Sequence, residues 1–125
     1  MRAISKEKCI SDGKLGLQTL FSFVRENAEA MQAYEMEKNI FQLAQTIALS
    51  GMKYYFAEKG TGNIGPELKL ENDIILKKEN RLHGRDYFSI FGKLKVPRSC
   101  YRSEGNCGVM PLDGQADLPD RKSVV

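Results

Sequence analysis

The run from Lys93 to Arg102 carries the strongest chemical signal in the chain. It holds Lys93, Lys95, Arg98 and Arg102 with Tyr101 among them and no acidic residue. Cations on one exposed strand can follow a phosphate backbone, because each neutralised phosphate releases counterions. Lys93, Lys95, Arg98, Tyr101 and Arg102 are therefore the candidate DNA contacts. The same pattern also suits an edge strand whose lysines discourage edge-to-edge pairing. Lys77, Lys78, Arg81 and Arg85 precede it, diluted by Glu79 and Asp86.

Other chemistries find less support. His83 is the one histidine, in a polar Arg-Leu-His-Gly setting that predicts a solvent-facing loop. A nucleophile–base pair needs a third orienting group, and no spacing points to one. Cys9, Cys100 and Cys107 form no Cys-x2-Cys pair with which His83 would complete a zinc site. Cys100 and Cys107 lie seven apart across Gly105 and can meet in a hairpin, but the expectation is incidental reduced thiols and no metal site. Asp73, Asp86, Asp113, Asp117 and Asp120 fall in turns or the tail, where turn chemistry alone accounts for aspartate. Two-metal catalysis needs carboxylates converging from rigid elements, so no catalytic residue is assigned. The glycines of Gly60-Thr61-Gly62-Asn63-Ile64-Gly65 follow a helix and precede an extended segment, the reverse of a phosphate-binding loop.

The bulk properties narrow the class. At 125 residues the chain suits one domain, and a net charge of +3 is too small to name a partner by itself. The first residues lack an apolar signal core, and no run approaches a membrane span. These features predict a cytoplasmic protein with reduced thiols, no membrane contact and no small-molecule substrate.

The positioning elements change character near Gly60. Before it, Leu17, Leu20, Phe21, Val24, Ala28 and Met31 recur at helical spacing, after Ser11-Asp12-Gly13 as a start signal. A second stripe comprises Ile40, Phe41, Ala44, Ile47, Ala48, Gly51, Met52, Tyr55 and Phe56. One continuous helix from Leu15 to Lys59 would be a rod of about 65 Å that needs a partner to cover it. A hairpin broken between Asn27 and Glu35 buries both stripes within one chain, and is preferred. The second stripe also offers a surface for a homodimer, with close helix approach as one reason to accept Gly51 in mid-helix.

After Gly60, Leu68–Leu70 and Ile74–Leu76 flank Glu71-Asn72-Asp73 as a short hairpin, and Lys93-Leu94-Lys95-Val96 alternates outward lysines with inward apolar residues. Pro97 marks an edge or a bulge. The predicted fold class is α+β: a flexible N-terminus over 1–13, a helical hairpin over 14–60, a small antiparallel β region over 61–103 and a mostly irregular tail over 104–125. Val109, Met110 and Leu112 are the tail residues expected to pack back.

Several blocks carry a family likeness. Ala57-Glu58-Lys59-Gly60-Thr61-Gly62-Asn63-Ile64-Gly65-Pro66 is one, and Gly84-Arg85-Asp86-Tyr87-Phe88-Ser89-Ile90-Phe91-Gly92-Lys93 a second. Val96-Pro97-Arg98-Ser99-Cys100-Tyr101-Arg102 and Pro111-Leu112-Asp113-Gly114-Gln115-Ala116-Asp117-Leu118-Pro119 complete the series. In order and spacing they resemble the N-terminal region of ISKra-type insertion-sequence transposases, over residues 37 to 121. The resemblance implies a parent function in DNA transposition. In that family a metal-dependent, RNase-H-like DDE domain follows this region and supplies the DNA-cutting carboxylates. The ending Asp120-Arg121-Lys122-Ser123-Val124-Val125 departs from the family pattern and is read as a truncation before that domain. A non-enzymatic fragment with no cofactor is therefore expected, retaining at most DNA-end binding or subunit contact. The alternative is a pseudogene-type interaction protein that binds no DNA.

Overall fold

The computed structural model describes residues 1–103 and 108–118. The first helix, α1 (Lys6–Asn27), begins eight residues before position 14, where the helical region was expected to start. Ser5 explains the difference. Its hydroxyl accepts a hydrogen bond from the Lys8 N–H at 3.2 Å, and Glu7 places a negative charge in the first turn. Ser11, Asp12 and Gly13 thus lie inside the helix.

The second helix, α2 (Ala33–Lys59), follows a short connection over 28–32, inside the interval expected for the break. It ends at Gly60, whose φ of +75° suits glycine and whose N–H returns to the Phe56 carbonyl at 3.0 Å. The helices meet where Gly16 faces Ile47, and a Cβ on Gly16 would fall 2.8 Å from Ile47 Cγ1. That close approach sets the inward side of α1: Cys9 is buried, and Gly16, Leu20, Phe23, Val24 and Asn27 are half-buried. Leu17 and Phe21, expected in the apolar stripe, lie on the outer side at 51% and 64% exposure. Phe41 and Tyr55 are likewise exposed on α2.

The strands follow in antiparallel order. β1 (Glu67–Lys69) pairs with β2 (Ile75–Lys78), Leu68 opposite Leu76, as the predicted hairpin. Its turn carries Asp73 at φ +64° and closes with Leu70 N–H to Ile74 O at 2.8 Å. β3 (His83–Ser89) and β4 (Gly92–Arg98) make a separate two-stranded sheet. Ser89 caps the turn between them, its hydroxyl donating to Gly92 O at 2.7 Å and accepting from Phe91 N–H at 3.1 Å. β5 (Tyr101–Arg102) leaves that sheet and joins β2, with Lys78 opposite Tyr101. A short helix, α3 (Pro111–Gln115), follows a bridge between Tyr101 and Val109. Leu112 packs back as expected and is fully buried. The fold is α+β.

The chain divides into two compact units. One contains Met1–Ile4, Phe56–Arg85 and the chain from Lys95 onward, and holds the best-packed core: Leu76, Val96, Cys100, Tyr101 and Leu112, each essentially inaccessible. The other contains Ser5–Tyr55 and Asp86–Leu94. In it Cys9 and Leu94 are buried, while Ile10, Leu15, Leu17, Phe21, Tyr34 and Phe41 are exposed.

Candidate functional site

The five residues proposed from sequence do not form one exposed row. β4 alternates as predicted: Lys93 and Lys95 face solvent, and Leu94 and Val96 are buried. Lys93 Nζ lies 3.5 Å from Asp86 and 5.8 Å from the centroid of the Phe88 ring. With the Lys93 side chain 57% exposed, that ion pair restrains it only weakly.

Beyond Val96 the alternation stops, and residues 96–101 are all buried. Arg98 is 2% exposed, and its Nη1 donates to both carboxylate oxygens of Asp113, at 3.0 and 2.9 Å. Arg85, 8% exposed, approaches the same carboxylate at 3.4 Å. Tyr101 is fully buried, its hydroxyl donating to Gly65 O at 2.7 Å and accepting from Ile64 N–H at 2.9 Å. Arg98 and Tyr101 are thus internal ties, which corrects their assignment as DNA contacts. Burial costs a cation its hydration, and Asp113 supplies the compensating charge. Arg102 is exposed, with Nε 3.1 Å from Glu79 Oε1.

A second constellation escaped the sequence reading. His83 opens β3 and is half-buried rather than a solvent-facing loop residue. Its Nε2 makes a hydrogen bond with Glu79 Oε2. That bond is the main cause holding the Glu79 carboxyl below its ordinary range, with Arg102 adding to it against an opposing effect of burial. Cys100 is fully buried beside them, and its carbonyl accepts the Glu79 N–H at 2.8 Å. The ligand-capable atoms of Glu79, His83 and Cys100 all lie within 4.8 Å of one another.

Spacing along the chain could not reveal this group, because the strand pairing of β2 with β5 is what sets Glu79 opposite Cys100. The usable signal was turn length: four residues from Glu79 to His83 let the two side chains meet. Cys9 sits on α1, where burial raises its thiol and Lys53 partly offsets the rise. Cys107 and Asp120 lie outside the described residues.

No family model, no curated protein and no solved structure matches the chain.

Proposed function

We propose that these residues are the leading, non-catalytic region of a DNA transposase of the ISKra type, contacting the DNA of the element ends. The observation that carries this reading is the meeting of the four sequence blocks behind the likeness. Gly62 of the first block packs so closely on Leu112 of the last that an added Cβ would lie 2.6 Å from the Leu112 nitrogen. Arg85 of the second and Arg98 of the third share Asp113 of the last. Tyr101 ties the third back to Ile64 and Gly65 of the first. The first, third and last blocks, with Arg85 from the second, thus depend on one another for packing and charge within one compact unit, which supports reading them together.

Lys93, Lys95 and Arg102 are then the phosphate contacts, Lys93 shared with Asp86 and Arg102 with Glu79. No cutting step is assigned to the region. Asp113 is engaged by two arginines, which leaves that carboxylate poorly suited to gripping paired metal ions. A mobility shift with duplex DNA tests the reading. Binding that weakens steeply from low to moderate salt supports it, and an absence of binding at low salt overturns it. Plasmid nicking in magnesium or manganese buffer by nuclease-free protein overturns the non-catalytic part.

A second reading is an interaction protein without DNA binding, working through subunit contact. It is favoured by the helical unit, which exposes Phe21, Tyr34, Phe41 and Tyr55 at 64%, 60%, 63% and 41%. A dimeric mass in light scattering, combined with no mobility shift, selects it.

A further inference from the structure

We propose that Glu79, His83 and Cys100, the ligand-capable group among the described residues, bind a borderline transition-metal dication of the zinc type. This inference is independent of the DNA reading, and it departs from the expectation of incidental thiols. Backbone geometry brings the donors together. Lys78 pairs with Tyr101 across β2 and β5, and the next pair in that register is Glu79 with Cys100. The Glu79 N–H to Cys100 O bond at 2.8 Å fixes that pair. The chain then turns over 80–82 and returns His83 to the Glu79 carboxylate.

The donor set selects the ion. One thiolate, one imidazole and one carboxylate suit zinc, cobalt or nickel, whereas magnesium and calcium need several oxygens. Zinc-type bonds of about 2.0–2.3 Å place tetrahedral donors about 3.4–3.6 Å apart. Binding therefore draws the widest separation, up to 4.8 Å, in by about 1 Å and parts the hydrogen-bonded His83 and Glu79 by a similar distance, both within reach of side-chain torsions. The sulfur lies at the closed end, while the His83 and Glu79 side chains are 22% and 30% exposed. Among the described residues, the approach from solvent is thus on the histidine–glutamate side.

Two neighbours shape the site. Arg102 holds Glu79 Oε1 at 3.1 Å and leaves Oε2 directed at His83. Its charge opposes a nearby cation, but its hydrogen bond orients the ligating carboxylate, and thiolate plus carboxylate together neutralise a dication. Gly108 closes over the sulfur: a Cβ there would lie 2.8 Å from Cys100 Sγ and 3.2 Å from Arg102 Nη2. The lack of a side chain leaves room beside the donor. In the ion-free state His83 and Glu79 satisfy each other; binding replaces that bond, so the proton shared between them leaves Nε2 (to Nδ1 or to solvent), and the thiol proton is released to solvent.

Cobalt(II) titration of the reduced full-length chain tests the proposal. The expected result is one equivalent bound, with a thiolate-to-cobalt charge-transfer band in the near ultraviolet that zinc displaces and magnesium does not. Cys100→Ser abolishes the band and Cys9→Ser leaves it intact. His83→Gln and Glu79→Gln, at half-buried positions, each weaken cobalt affinity at least about tenfold. Absence of a band, its persistence in Cys100→Ser, or unchanged affinity in His83→Gln overturns the proposal. Should Cys100→Ser fail to fold, the His83→Gln titration decides alone.

Discussion

Arg98 Nη1 reaches both oxygens of Asp113, at 3.0 and 2.9 Å, although β4 and α3 supply the two residues from separate segments. Arg85 adds a second guanidinium at 3.4 Å, so one carboxylate balances two buried cations. Arg98 Nε is buried with no hydrogen-bond partner among the described residues, which makes the Asp113 contact its main compensation. The link joins the basic strand to the helix that follows it.

Removing that compensation is the first test. Asp113→Asn keeps the size of the side chain and deletes its charge, leaving Arg98 and Arg85 buried without their counter-ion among the described residues. Breaking a buried pair costs about 3–5 kcal/mol, and the partial exposure of Asp113 (35%) reduces the expectation to about 2–3 kcal/mol. Urea unfolding followed by far-ultraviolet circular dichroism measures it. A loss below about 0.5 kcal/mol, the range of ordinary surface changes, rejects the electrostatic account.

DNA affinity and stability should separate by residue. On the proposed DNA-binding reading, the Lys93→Gln/Lys95→Gln double variant is expected to weaken binding to all duplexes and to lower the salt slope by about two. Tyr101→Phe should do the opposite. Losing the hydroxyl leaves Gly65 O and Ile64 N–H without their partner, at about 1–3 kcal/mol, with DNA affinity of the folded protein intact. A binding defect in Tyr101→Phe at unchanged stability contradicts its placement as an internal tie.

Two glycines should respond with opposite signs. Gly62 has φ +77° and no room for a Cβ against Leu112, so Gly62→Ala is expected to destabilise by about 2 kcal/mol or more. Gly51 lies within α2 with nothing within 4 Å of an added Cβ, so Gly51→Ala should stabilise by about 1 kcal/mol. Thermal melts of the two variants decide. Weakened self-association in Gly51→Ala would instead assign that helix face to a subunit contact.

Cys9 should be a slow thiol. Burial raises its ionisation above the ordinary value, so native protein near neutral pH resists alkylation there, and denaturant removes the protection. For a group whose folded value is raised, the stabilising contribution is full below the unfolded value and is lost as pH rises through the folded one. Stability should therefore decline in the alkaline range above the ordinary thiol value, and the decline should shrink in Cys9→Ala. Rapid modification of Cys9 in the native state at neutral pH contradicts the placement.

Local pattern carried much of the architecture. Helical periodicity marked both helices, because repeated apolar spacing reflects the turn of the helix itself, and the need to bury both stripes within one chain placed the break between them. Alternation in Lys93-Leu94-Lys95-Val96 predicted which side chains face solvent, and turn residues located the β1–β2 hairpin. The start of α1 was misjudged because Ser5 and Ser11 offer similar start signals, and only the Ser5 hydroxyl bond to Lys8 N–H distinguishes them. The outward placement of Leu17 and Phe21 depends on the axis set by Gly16 against Ile47, a contact between residues far apart along the chain.

Composition and order alone established the α+β class and the alternation of β4. The burial of Arg98 and Tyr101, and the meeting of Glu79 with His83 and Cys100, required the folded chain. Charge type is written in each residue, but whether a cation meets solvent, a carboxylate or a metal ion depends on which distant segment folds beside it. Strand register between β2 and β5, and the return of α3 toward Arg98, supply those neighbours.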